Sequence, residues 1–173
     1  MNKQKLLCCL LLIVFLVLPW SDTSKASSSS SPNYSEDESN YQYGVLEGKR
    51  LRELQKNSYS SYEDIKKINK KYFIEECKLF PEQFDDIEKY VEETLELREE
   101  QINLALAKGI EVSPDSVIEL INKTRSAINK ADNNSLFLAF IKGTGMTEDE
   151  YWAAQYNEIY DNLLISEYKK QIN

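Results

Sequence analysis

The longest helical pattern of the chain runs from Glu82 to Lys108 and reads EQFDDIEKYVEETLELREEQINLALAK. One apolar stripe in it follows helical spacing and consists of Phe84, Ile87, Val91, Leu95, Ile102 and Leu106. A second stripe recurs every seven residues, more than about 100° away around the helix axis, and consists of Tyr90, Leu97 and Leu104. Such a helix either packs on two sides or keeps one apolar side for a partner. Gly109 predicts where it ends, because the residue after a helix often needs left-handed backbone.

Two shorter helices are predicted before this stretch. Val45 to Asn57 has the pattern of a short, charged helix, and Ser61 can cap a second one that runs to about Phe80. Pro81 then marks a break and suits the first turn of the long helix.

The long helix is followed by a strongly marked helix start. Ser113 is an N-cap residue and Pro114 occupies the first helical position, where its missing N–H costs nothing. The pattern continues to about Ala131. The next segment, Leu136 to Ile141, is apolar all round, so we expect it to be buried.

The last helix is predicted from its own signals. Gly143 to Gly145 is expected to break the chain, and Thr147 and Glu150 form a capping box. The helix that follows runs almost to the end of the chain and has an aromatic-rich face. The sequence therefore predicts an all-α fold of five to six helices, with one long central helix embraced by a C-terminal helix.

The N-terminus has the features of a signal peptide. Lys3 and Lys5 precede the apolar run Leu6 to Trp20, and small residues up to Ala26 form a cleavage site. The alternative is a retained membrane anchor. Fifteen helical residues span only about 22 Å, however, which is short of the roughly 30 Å hydrocarbon core. We expect residues 1–26 to be removed and the protein to be secreted or held at the cell surface.

The expected mature chain consists of a disordered, Ser-rich linker over residues 27–43 and a helical domain over residues 44–173. It contains 18 basic and 28 acidic side chains, a net charge of −10. A surface this acidic argues against nucleic acid or anionic lipid as a partner and favours basic ones. No membrane contact is expected beyond the signal peptide.

The composition also argues against catalysis. The chain has no histidine, which removes imidazole zinc ligands and the usual acid–base residue near neutral pH. Cys77 is the single cysteine after residue 26, so no disulfide can form within the mature chain. Carboxylate pairs such as Glu92–Glu93 have neither metal-ligand spacing nor a common direction on a helix. We therefore expect no enzymatic activity, no cofactor and no metal.

The segment from Leu95 to Tyr168 resembles the N-terminal chaperone domain of SurA-type and PrsA-type extracytoplasmic foldases. The resemblance lies in the order and spacing of the helix ends and turn residues. The matching residues are Leu104, Ala105, Gly109, Ile110, Val112, Ser113, Asp115, Val117, Phe137, Phe140, Gly145, Met146, Thr147, Glu148, Glu150, Tyr151 and Trp152.

The resemblance implies an exported module that binds unfolded or extended polypeptide without ATP. Two departures limit it. The short strand and turn that usually precede the first helix of the family are not found here. The chain also ends at Asn173, where the family continues into a parvulin-type prolyl isomerase domain, so no isomerase activity is expected.

Five residues are the candidate client-binding set: Tyr90, Leu97, Leu104, Trp152 and Tyr156. The competing interpretation is that the terminal helix packs on the long helix and buries all five, since apolar stripes at helical spacing are usually core. The competing function is a structural or interaction protein that keeps the same fold but serves one dedicated partner at the cell surface.

Overall fold

A computed structural model describes residues 36–57 and 61–172, and this part of the chain is helical throughout, without a strand. Its seven α-helices are α1 (Glu36–Lys56), α2 (Tyr62–Cys77), α3 (Ile87–Ala107), α4 (Pro114–Asn129), α5 (Asn134–Thr144), α6 (Glu148–Ala154) and α7 (Tyr156–Ile172). A 3₁₀ turn, Pro81–Gln83, lies between α2 and α3. The all-α prediction is confirmed.

The number of helices exceeds the predicted five to six because the final helical pattern is interrupted. Gln155 separates α6 from α7, and it is 1% exposed. The periodicity of the sequence continues across this position, so the interruption has no signal in the pattern of apolar residues.

The first helix corrects the predicted boundary between linker and domain. Residues 36–43, predicted to belong to the disordered linker, form the first two turns of α1, and Asn40 and Tyr43 are buried. Polar residues on a buried helix face gave this segment the composition of a linker. The predicted signal peptide and the remainder of the predicted linker, residues 27–35, lie outside the described residues.

The local helix signals are confirmed where they were strongest. The Ser113 hydroxyl accepts the Ser116 N–H at 3.1 Å. The Glu150 carboxylate accepts the Thr147 N–H at 2.7 Å. Gly109 has φ of 71° and ends α3 in a Schellman motif, in which the Ile110 N–H donates to the Ala105 carbonyl at 3.1 Å.

Two predicted boundaries were wrong. The long helix begins at Ile87 rather than Glu82, because the Asp86 carboxylate accepts the Lys89 N–H at 3.0 Å and caps α3 there. Gly143 does not break the chain but lies within α5, and Gly145 is the left-handed C-cap with φ of 65°.

The described residues form two compact units. The N-terminal unit consists of residues 36–97 and 132–151, and the C-terminal unit consists of residues 98–131 and 152–172. Residues 87–97 of α3 therefore belong to the first, and residues 98–107 to the second.

In the N-terminal unit, α1 packs on α5 at very short range. A Cβ atom on Gly44 would lie 2.0 Å from the Phe140 carbonyl oxygen, and one on Gly143 would lie 2.1 Å from that of Tyr41. The rings of Tyr43 and Tyr151 pack against Phe140, with centroids 5.3 Å away in both cases. Only glycine lets two helix backbones approach this closely.

A buried polar cluster joins α1 to α2 in the same unit. The Arg50 guanidinium is fully buried and donates to both Glu47 carboxylate oxygens, at 2.7 and 2.8 Å. It also donates to Asn69 Oδ1 at 2.8 Å and lies 5.2 Å from the centre of the Phe73 ring. Burial, with Glu76 and Glu47 nearby, raises the pKa of Tyr43 well above its ordinary value.

In the C-terminal unit, α7 packs on the second half of α3. Ala105, Ile110 and Leu164 form its buried core. The half-buried side chains around this core are Ile102, Val112, Tyr160 and Tyr168. The long helix and the terminal helix thus meet within this unit.

Candidate functional site

The five predicted client-binding residues fall into both compact units. Tyr90 and Leu97 belong to the N-terminal unit, whereas Leu104, Trp152 and Tyr156 belong to the C-terminal unit. The second stripe of the long helix is therefore divided, and each part is a separate candidate surface.

Tyr90 is half-buried and is supported on several sides. The Phe84 ring, predicted to belong to the other stripe, lies 4.8 Å from the Tyr90 ring at an angle of 46°. Burial, and to a lesser degree the neighbouring Cys77, raises the pKa of Tyr90, while a hydrogen bond with the Thr94 side chain opposes this. Helical spacing could not predict this contact, because Phe84 lies before the cap of α3 and is not part of the helix.

Leu97 is 37% exposed, although the same helix buries Val91 and Leu95. The leucine lies seven residues after Tyr90, so the two side chains are about 20° apart around the helix axis. Leu97 is thus a partly uncovered apolar side chain, and the interpretation of the second stripe as wholly buried core is wrong at this position.

Acidic side chains border Leu97. Glu93 lies between Tyr90 and Leu97 on the same side of α3, and Glu96 directly precedes the leucine; both are exposed. Glu93 approaches the Lys89 ammonium at 3.8 Å, in a pair whose side chains are 65% and 67% exposed. An ion pair this exposed contributes little and is easily exchanged.

The three residues of the C-terminal unit differ in accessibility. Leu104 is 40% exposed, Tyr156 is half-buried, and Trp152 is only 3% exposed. Because so little of its ring is accessible, Trp152 is removed from the candidate contact residues. Three further apolar side chains of this unit, which were not predicted as site residues, are more exposed: Leu106 at 54%, Ile172 at 53% and Ile118 at 50%.

The contact of α7 with α3 is fixed by a polar clamp in the C-terminal unit. The Arg98 guanidinium donates to the Asn162 side chain and, at 3.4 Å, to both the Glu158 carbonyl and the Asp161 carboxylate. Burial raises the pKa of Asp161, and the charge of Arg98 opposes this rise. The clamp positions the terminal helix on α3.

Cys77 has the properties of an unreactive thiol. Burial, with a smaller contribution from Glu76, raises its pKa to about 11. A thiol with so high a pKa carries almost no thiolate at neutral pH, and the thiolate is the reactive form. The half-buried Cys77 therefore acts as a small apolar side chain.

Within residues 36–57 and 61–172, no group of three or more potential ligand side chains could hold a metal ion. In the same part of the chain, no helix is long and apolar enough to cross a membrane.

The chain matches no protein-family model, no curated protein sequence and no solved structure. The resemblance to SurA-type and PrsA-type domains therefore rests on the residues between Leu95 and Tyr168.

Proposed function

We propose that this chain is an exported module that holds unfolded or extended polypeptide on apolar side chains, without ATP and without catalysis. The observation that carries the proposal is the exposure of two leucines of the second stripe. Leu97 is 37% and Leu104 is 40% exposed on a helix that buries Val91, Leu95 and Ala105 elsewhere along its length.

The strength of each contact fits reversible binding. Full burial of a leucine side chain contributes about 1.5–3 kcal/mol, so covering a little over a third of one contributes about 0.5–1 kcal/mol. Several such contacts together give weak to moderate affinity, which permits release of a client without an energy source. The predicted signal peptide and the resemblance to chaperone domains point to the same function.

The proposal is tested by aggregation assays with the chain that starts at Ser27. It should slow the aggregation of several unrelated unfolded proteins, and Leu97→Asp and Leu104→Asp should each weaken this effect. Their melting temperatures should stay nearly unchanged, since exposed substitutions shift stability by about 0.5 kcal/mol or less.

Leu138→Asp is the matched control, because Leu138 is 57% exposed and lies on α5. Its aggregation suppression should equal that of the unchanged chain. Suppression of no client, together with capture of a single protein from culture supernatant, would instead support a structural or interaction protein with one dedicated partner.

A further inference from the structure

The N-terminal unit contains an apolar strip, which we define as Phe84, Tyr90 and Leu97, with Glu93 between the last two. The two rings contact each other with centroids 4.8 Å apart, and Leu97 extends the strip by two turns of α3. Phe84 and Tyr90 are half-buried and Leu97 is exposed. Contacts with each other hold the rings in place, so little side-chain freedom is lost on binding.

Acidic side chains outnumber basic ones beside this strip. Glu93 and Glu96 border it on α3, and the cation nearest along the helix, Lys89, is 67% exposed and 3.8 Å from Glu93. Glu92, which directly precedes Glu93, already forms an ion pair with Lys70 of α2, at 3.1 Å. A cationic side chain laid along the strip therefore meets two exposed carboxylates and displaces at most one weak ion pair.

The charge of the whole chain is concentrated in the same unit. Residues 36–97 and 132–151 contain 20 acidic and 11 basic side chains, a net charge of −9. Residues 98–131 and 152–173 contain 8 acidic and 7 basic side chains, a net charge of −1. Leu104, Leu106 and Ile118 thus lie in a nearly neutral unit, whereas the strip lies in a strongly acidic one.

We propose that the strip is a docking surface for polypeptide segments in which lysine or arginine adjoins aromatic or aliphatic side chains. The apolar side chains of such a segment cover Leu97 and the ring edges, and its cations reach Glu93 and Glu96. The faces of the Phe84 and Tyr90 rings add cation–π attraction. This inference rests on the proposed function, that the chain binds polypeptide, and assigns client chemistry to one surface.

The experiment uses two labelled peptides that share the same aromatic and leucine residues and differ only in carrying lysine or glutamate between them. Binding to the chain from Ser27 is measured by fluorescence anisotropy at about 0.01 M and about 0.15 M salt, where the Debye length falls from about 30 Å to about 8 Å. We expect the lysine peptide to bind about three- to tenfold tighter at low salt, as two partly exposed charge pairs provide. The ratio should shrink at the higher salt concentration.

The variant Glu93→Gln/Glu96→Gln should lose most of this ratio while still binding the lysine peptide. Its control is Glu63→Gln/Asp132→Asn, which removes two exposed acidic side chains from other elements of the same unit. The control changes the total charge equally but leaves Glu93 and Glu96 in place, so it should keep the ratio.

Equal binding of both peptides would overturn the inference and leave the proposed function standing if unfolded clients are still protected. Equal loss of the ratio in both double variants would also overturn it, because the preference would then follow total charge rather than this strip. Failure of the proposed function is seen separately, in the aggregation assay, where no client would be protected.

Discussion

Arg50 is a cation in a place where cations are rarely found. Its guanidinium is 0% exposed, and three of its hydrogen bonds are to Glu47 and Asn69. The Glu47 contact is bidentate, the geometry in which arginine binds a carboxylate best. Taking both charges out of water is costly, so Arg50 can lie buried and bond to Asn69 of α2 only as long as its pair with Glu47 stays complete.

Arg50→Met should therefore cost about 3–5 kcal/mol of unfolding free energy, because Glu47 would remain buried without its two guanidinium donors. Urea denaturation followed by circular dichroism measures this. The double variant Glu47→Leu/Arg50→Met should lose much less, since an apolar pair of similar volume is often tolerated. A loss below about 1 kcal/mol in the single variant would show that water reaches the cluster.

At the scale of single elements, the helix ends were predictable because their determinants are local. Ser113, Thr147 and Glu150 satisfy backbone groups within three residues. Gly109 does so too, since its N–H donates to the Leu106 carbonyl three residues earlier. The sequence alone is therefore enough to place these caps.

The start of α1 was not predictable, because its stability comes from distant residues. Its buried face carries Asn40, Gly44 and Gly48, which are not apolar and have low helix propensity, and the charged Glu47. Contact with α5, about one hundred residues later in the chain, gives these residues their role. The candidate site was partly predictable: the stripe located Leu97 and Leu104, whereas Phe84 and the burial of Trp152 depend on tertiary packing.

The crossing of α1 and α5 makes a specific prediction for glycine. Gly44→Ala would gain up to about 1 kcal/mol of helix propensity, but its Cβ would lie 2.0 Å from the Phe140 carbonyl oxygen. The backbones of the two helices cannot move aside, so the clash should cost about 1–3 kcal/mol or more. This cost exceeds the gain in helix propensity, and the protein should be destabilised.

Thermal unfolding of Gly44→Ala measures the effect, and Gly109→Ala is an informative comparison. No atom lies within 4 Å of a Cβ on Gly109, so only its φ of 71° is strained there. That change should cost about 1–2 kcal/mol. A melting temperature for Gly44→Ala equal to that of the unchanged protein would mean that the two helices can separate without cost.

On the scale of the whole molecule, acid should destabilise the protein. Four carboxyl groups have a pKa that hydrogen bonds lower. The groups, each with its partners, are Glu53 with Lys71 and Tyr72, Asp64 with Ser61, Glu119 with Lys123, and Glu150 with Thr147. A carboxylate with a lowered folded pKa adds stability above its unfolded pKa, and this stability is lost as the pH falls through the folded value. Asp161 has the opposite sign, because its folded pKa is raised.

Four carboxyl groups have a lowered pKa and only one has a raised pKa. The melting temperature should therefore fall as the pH is reduced from about 6 to about 3. Glu150→Gln keeps the capping geometry but removes one titrating group, so its melting temperature should fall less over the same range. A melting temperature that rises on acidification would show that relief of repulsion between the 28 acidic side chains of residues 27–173 outweighs these hydrogen bonds.

The close crossing of α1 and α5 also restricts how the sequence can diverge. Gly44, Gly48 and Gly143 each face a backbone carbonyl oxygen at 2.0–2.2 Å from the position where any other residue would carry its Cβ. A homologous chain that keeps this crossing must keep glycine at all three positions, whatever happens to its surface. The pattern of two glycines four residues apart in the first helix, with a third at the end of the fifth, is therefore a signature by which remote relatives of this protein can be recognised.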